Sequence, residues 1–364
     1  MNENRVVVTL FGVAVSVAIG YIAYRFIAAL TISVFVYYST RRYHRSLRRF
    51  RLPTRVRAMV VLASLVVPLL LIVSYTLVLL VIETRSFLAR SSVLDVASSN
   101  GWLGSVETIP EFTVQGIYGA YRSGQLDVFI DFASQNAPFL TDFVSGFFLN
   151  LFVIVVVTYY LLVDGSRMRS WLLRFDDDAI VREYLEAVDE ELEAVLFGNL
   201  LNVIATSLIA IAAFHAYNEF APAAAAVPYP TLAGALTGIG SLVPVVGMKI
   251  VYLPLAAIAA VPILLGPDKS LLVYVGGFLV TAVVVVDTIP DLVLRPLLSG
   301  KTTHVGLLML AYTLGPVVLG FYGLFFAPIV LVVGLTFART ALPRLLGAEP
   351  DEGLPHDQLR LDDF

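Results

Sequence analysis

The sequence predicts an all-α polytopic membrane protein of about eight membrane elements, two of them re-entrant helical hairpins broken by glycine and proline. Three observations lead there. Hydrophobic residues make up 58% of the 364-residue chain and charged residues only 14%, against roughly 45–50% and 25% in soluble domains. The apolar residues fall in long runs, several of them near the ~20 residues with which a helix crosses a bilayer. Two of these runs, 232–265 and 305–337, are too long for one span and carry Gly and Pro in their middles. Irregular backbone at membrane depth survives only where protein or a water-filled cavity shields it.

Composition also excludes classes of chemistry. The chain has no cysteine, so disulfides, thiolate metal sites and cysteine nucleophiles are absent, and His44, His215, His304 and His356 show no ligand spacing. No metal site, no cofactor and no enzymatic activity are expected, because the spans hold neither a Ser/His pairing nor a His/Asp ligand set. A net charge of -4 with the basic residues gathered in one loop gives no support to nucleic-acid binding. The expected surroundings are membrane lipid.

In chain order, residues 1–57 read as an N-terminal membrane hairpin and an arginine-rich loop. The apolar stretch 6–39 would be about 51 Å long as one helix, so a tight hairpin turning near Arg25 is expected, with no cleavable signal peptide. Eight arginines and no acid occupy 41–57. Short loops rich in Arg stay on the cytoplasmic side, which fixes the topology of a multi-pass protein of the cell membrane. Residues 58–82 form a span with Pro68 inside it. The segment 83–142, with seven acids, three arginines and frequent Gly and Pro, reads as short extracytoplasmic helices.

Residues 143–198 return inside as a span followed by an acidic helix, for which Asp176-Asp177-Asp178 supplies N-cap candidates. Glu190, Glu191 and Glu193 read there as a solvated face. The region 199–338 holds the core: a span over 200–217, a first broken segment at Leu232–Leu265, a span over 271–294 and a second broken segment. The breaks are assigned to Gly238, Gly240, Pro244 and Gly247 in the first, and to Gly315, Pro316, Gly320 and Gly323 in the second. Arms of about 15 residues reach only some 23 Å, which favours re-entrant hairpins over additional spans. Small residues also let helices pack closely without any break. Residues 339–364, with six acids and three arginines, read as an acidic, disordered cytoplasmic tail.

Charge inside the apolar windows marks the candidate site. After the first hairpin only Lys249, Asp287 and Asp291 fall within such windows, with Arg295 at the boundary. Asp287, Asp291 and Arg295 are spaced four apart and share one helix face, bent by Pro290. An unpaired charge at membrane depth costs roughly 2.5–3.5 kcal/mol, so Lys249 is expected to pair with Asp287 or Asp291. The alternative is a structural ion pair at the interface, with Lys249 reaching to the headgroups.

Gly240-Ser-Leu-Val-Pro244-Val-Val-Gly247 followed by Tyr252-Leu-Pro254 resembles the central motif of the autoinducer-2 exporter (AI-2E) family of transporters. Asp287 through Arg295-Pro296-Leu-Leu-Ser-Gly300, then Gly315, Gly320-Phe-Tyr-Gly323 and Ala327-Pro328, resemble its other signature blocks, and Gly198-Asn-Leu-Leu also fits. The resemblance covers nearly the whole chain. It implies a homo-oligomer that exports a small polar solute, with H+ or Na+ as a coupling partner in some members. Lys249 stands where many members are expected to carry a small or apolar residue. Alternating access with Lys249, Asp287, Asp291 and Arg295 along the solute and ion path is the expectation; a Na+/H+ antiporter and an oligomeric, channel-like pore are the alternatives.

Overall fold

The computed structural model describes residues 3–68, 137–172, 179–265, 269–294 and 304–346. Most of the span expected at 58–82, the outer segment up to residue 136, Arg295, and the tail beyond 346 lie outside the described residues. Two compact units divide the chain, one of Met1–Met59 with Val156–Phe364, the other of Val60–Val155. In the second unit the described residues are helical, and Phe148, Leu149 and Phe152 stand exposed on its later helix, as side chains facing lipid do.

All regular structure among the described residues is helical: α1 (Glu3–Arg25), α2 (Ile27–Ser46), α3 (54–68), α4 (Ala137–Leu172), α5 (Ala179–Phe220), α6 (Pro230–Gly240), α7 (Lys249–Leu265), α8 (Leu272–Thr281), α9 (Val305–Leu319) and α10 (Gly323–Leu345). Beyond α8 the helix widens to π geometry over Ala282–Thr288 and Pro290–Leu294. Five described segments are long and apolar enough to cross a membrane, within α1, α4, α5 and α10 and over Lys269–Leu294, while α7 and α9 are shorter apolar helices. The expected total of eight therefore still rests on the sequence.

Several boundaries differ from the expectation. The chain bends at Phe26, beside Arg25, yet α1 does not fold back on α2: Val7 to Ile22 are all exposed. Helical hydrogen bonds also run through the junction, from Phe26 N–H to Ile22 and from Leu30 N–H to Phe26, so the tight hairpin is replaced by a kink. The helix α2 continues through Arg41, Arg42 and Arg45 to Ser46, and a 3-10 turn over Leu47–Phe50 carries it to Arg51, which turns left-handed. The acidic helix and the following span are one helix, α5, of 42 residues and roughly 63 Å. A lone Gly198 costs only about 1 kcal/mol in a helix interior and no proline follows it, so there is no reason for a boundary at 198.

Helix α5 is the spine of the larger unit. Its first half packs Leu192, Val195 and Leu196 with Phe35 of α2 and with Tyr312, Phe325 and Val332 of α9 and α10. Its second half packs Phe214 with Met248, Tyr252, Phe278 and Val286. Lipid tails are as apolar as these side chains, so close van der Waals contact holds such helices together. Small residues permit it: Gly234 and Gly238, one turn apart on α6, press against the backbone of Ile211 and Ser207 on α5 with no room for a methyl group.

Candidate functional site

Both long apolar runs are helix–turn–helix elements closed by glycine on glycine. In the first, α6 ends at Gly240, residues 241–248 form turns, and α7 begins at Lys249. A Cβ on either Gly240 or Gly247 would strike the other's carbonyl group. In the second, a Cβ on Gly315 or Gly323 would do the same, and the turn lies at Gly320, whose φ of +76° suits glycine. Gly238, Gly315 and Pro316 are helical, so the sequence put breaks there that fall elsewhere. Pro316 sits in the last turn of α9 and its carbonyl accepts the Gly320 N–H at 2.9 Å. The arms are also unequal: α9 has 15 residues and α10 has 23, so α10 is long enough to cross by itself.

The first turn carries a strained residue and a charge. Val245 has φ +66°, a genuine outlier for a β-branched side chain. Its carbonyl accepts a hydrogen bond from Lys249 Nζ at 2.5 Å, one turn later. The same ammonium meets Asp287 Oδ2 at 2.5 Å, and Tyr252 donates its hydroxyl to that oxygen at 3.0 Å. The sequence left the partner of Lys249 open between Asp287 and Asp291, and the structure pairs it with Asp287; it missed Tyr252, although its i+3 spacing from Lys249 places both on one face of α7.

Local chemistry positions the carboxylate. Asp287 lies in the π-helical stretch, where Pro290 has no N–H to offer, and the Thr288 hydroxyl bonds back five residues to Val283 at 2.7 Å. Short π segments inside α-helices are frequent at functional sites. The Asp287 side chain is 8% exposed and that of Lys249 37%, so the pair joins a buried anion to a cation with a route to the surface. Asp291 is half-buried four residues on, and Arg295 lies outside the described residues.

Beside the turn, α5 presents Asn199, Asn202 and Thr206 on one buried face, α6 presents Thr237, and the turn itself presents Ser241. Asn202 Nδ2 reaches Ser241 Oγ at 3.5 Å, whereas Asn199 Nδ2, Asn202 Oδ1 and Thr206 Oγ1 are buried without a hydrogen-bond partner among the described residues. Buried polar atoms are almost always satisfied, so this stripe holds unspent hydrogen-bonding capacity.

The acidic half of α5 is not a solvated face. Glu191 and Glu193 are buried. Arg41 makes a bidentate pair with Asp189 at 2.6 and 2.8 Å, and Glu193 receives Arg41 and Arg42 at 3.0 Å each, together with Arg45. The arginines that the sequence read as a topology signal are thus spent in part on an interhelical ion network. Adding α2's arginines to α5's i, i+4 acids, Asp189 and Glu193, would have been the signal.

Several apolar helices long enough to cross a membrane, with glycine-closed turns and an ion pair between α7 and the π segment, describe a multi-pass membrane protein. The chain belongs to the AI-2E family of transporters, whose model matches residues 7–342. Two archaeal proteins, both named "Putative transport protein", are similar to it. The one from Archaeoglobus fulgidus is 26% identical over 298 residues, covering 78% of this chain and 79% of the relative. The one from Methanothermobacter thermautotrophicus is 27% identical over 277 residues, covering 72% and 73%.

Proposed function

We propose that the protein exports a small polar solute across the cell membrane by alternating access, and that Lys249 and Asp287 form the element that responds to a coupling ion. The Asp287 carboxylate carries this reading. It is buried, its Oδ2 is shared by an ammonium and a phenol, and it sits on a helix segment that has already departed from α geometry. Neutralising it with a proton, or replacing Lys249 with Na+, would release the lysine to the Val245 carbonyl alone and remove a tie between α7 and the π segment. An intramembrane pair that can exchange partners is a natural device for coupling ion occupancy to a change of state.

The unspent polar stripe on α5 and α6 supports a route for a polar solute, since it offers donors and acceptors next to the same turn. In this reading the two glycine-closed elements are re-entrant, Asp291 and Arg295 continue the path, and the arginine-rich side faces the cytoplasm. A homo-oligomer in lipid is the expected assembly. Na+/H+ exchange at Asp287 is the second reading, favoured by the partial exposure of the Lys249 ammonium.

Reconstitution into liposomes tests both. Imposed Na+ and pH gradients are applied, proton flux is followed with an internal dye, and efflux of autoinducer-2 is measured alongside. Wild-type flux that is lost in Lys249→Met and Asp287→Asn supports the assignment. Unaltered flux in both variants removes the pair from the mechanism, and conductance steps in a planar bilayer would replace alternating access with a pore.

A further inference from the structure

We propose that a cavity on the arginine-rich side, walled by α2, α4, α5 and the first turn of α3, binds an oxyanion of the phosphate class with Arg57 as its principal ligand. This site goes beyond the transport reading, since neither Lys249 nor Asp287 lines it. The cavity holds about 1050 Å³, and Arg41, Arg45, Arg48, Arg57, Arg167 and Arg169 line it against a single acid, Asp189.

An account of the guanidinium groups shows which are unspent. Arg41 is held by Asp189 and Glu193, Arg45 by Glu193, Arg169 by Glu186 and Asp189, and Arg167 by Asp164, while Arg48 is exposed and solvated. Arg57 differs. It is 94% buried, being 6% exposed, and donates from Nη2 to Thr54 Oγ1 at 2.9 Å, while its Nε and Nη1 are buried with no hydrogen-bond partner among the described residues. A guanidinium cannot shed its charge as a lysine can, and a desolvated cation without a counter-ion is strongly unfavourable. The one acid in the wall is committed to Arg41 at 2.6 and 2.8 Å, so among the described residues no carboxylate is left to balance Arg57, and a bound anion would supply that charge.

The rest of the wall indicates what sort of anion fits. Arg48 and Arg57 are the lining arginines not assigned above to an acid, and a phosphate group offers more oxygens to two guanidinium groups than a carboxylate does. Leu161, Leu162 and Val188 add an apolar side, and the volume far exceeds that of one phosphate ion. The ligand is therefore a phosphate on an organic body, which is either the headgroup of an anionic lipid or a phosphate-bearing solute. His44, which also lines the cavity, is kept neutral more readily than usual, first by burial and then by Arg57 and Arg48 nearby, so it adds no competing charge.

The test uses the full chain in nanodiscs of phosphatidylcholine. Phosphatidylglycerol is titrated in and retained lipid counted by native mass spectrometry, and inorganic phosphate is titrated separately by calorimetry. Wild type is expected to bind one of the two probes, and Arg57→Gln to weaken that binding roughly tenfold, the scale of a lost charge-assisted hydrogen bond. Arg48→Gln, an exposed change that leaves the fold alone, is expected to weaken it by a smaller factor. Retained phosphatidylglycerol that phosphate does not displace assigns the headgroup; saturable phosphate binding assigns the solute. Equal affinity in wild type and in both variants overturns the site, as does failure of wild type to bind either probe. If Arg57→Gln does not fold, Arg57→Lys takes its place, since it keeps the charge and loses the planar fork.

Discussion

The carbonyl oxygen of Gly240 occupies the space that a side chain on Gly247 would need, and the Gly247 carbonyl does the same to Gly240. The obstruction is backbone, which cannot rotate aside. Gly247→Ala is therefore expected to open the α6–α7 turn and cost at least the ~1–3 kcal/mol of ordinary overpacking. Gly276→Ala, on α8 with nothing within 4 Å of the added atom, is the matched control and gains helix propensity instead. Thermal unfolding in one detergent compares them. Equal melting points for Gly247→Ala and wild type would mean that the two backbones do not touch in the folded protein.

The ion pair predicts a double-mutant cycle with a definite sign. Lys249→Met leaves a buried carboxylate that retains only Tyr252, and is expected to destabilise by up to about 3 kcal/mol, the lower end for breaking a buried pair because Lys249 is 37% exposed. Adding Asp287→Asn to it removes the stranded charge, so the double variant should be more stable than Lys249→Met alone. Urea unfolding of the four proteins measures the coupling. Additive effects would show that the two side chains act independently, and transport through Asp287→Asn should then be unimpaired as well.

Strain at Val245 leads to a separation of stability from activity. Its φ of +66° suits glycine, and its side chain is 55% exposed, so Val245→Gly removes backbone strain with little loss of packing. A gain of about 1 kcal/mol in stability is expected. If the strain holds the carbonyl toward Lys249, the same variant slows flux by roughly five- to tenfold, the low end of typical coupling energies. A variant that is less stable than wild type would contradict the first claim, whatever its flux.

What the sequence disclosed follows from how far each signal reaches. The sequence narrows the partner of Lys249 to Asp287 or Asp291, because an intramembrane charge needs an opposite partner and the apolar windows contain few candidates. Gly240 and Gly247 were legible as a break because their cost in a helix is local. The kink at Phe26 was misjudged as a hairpin, since length alone does not say whether an arm folds back. Gly198 was given a boundary that a single glycine does not impose. Arg57 and the α5 polar stripe were invisible, because an unspent hydrogen bond is a property of three-dimensional surroundings. Spacing on one strand of sequence carries no information about which donors lack a partner.

Glu193 shows how a charge pattern misleads and how to check the correction. On the sequence it is one of three closely spaced acids, yet it is 6% exposed and is clasped by Arg41, Arg42 and Arg45. Its neighbour Glu190 is exposed. Glu193→Gln keeps the shape and removes the charge, leaving three guanidinium groups of α2 without the carboxylate of α5 that they share. Arg42 and Arg45 are about half exposed, so solvent absorbs much of their share, and an expected loss of roughly 2–3 kcal/mol reflects mainly Arg41 and the buried carboxylate. Glu190→Gln should be neutral within about 0.5 kcal/mol. High salt is expected to narrow the gap only slightly, because a buried pair is poorly screened. Hydrogen exchange on α2 should speed up in Glu193→Gln and not in Glu190→Gln, since the clasp is what ties the arginine-bearing turn of α2 to α5. Identical exchange in the two variants would return Glu193 to the solvated face that its spacing suggests.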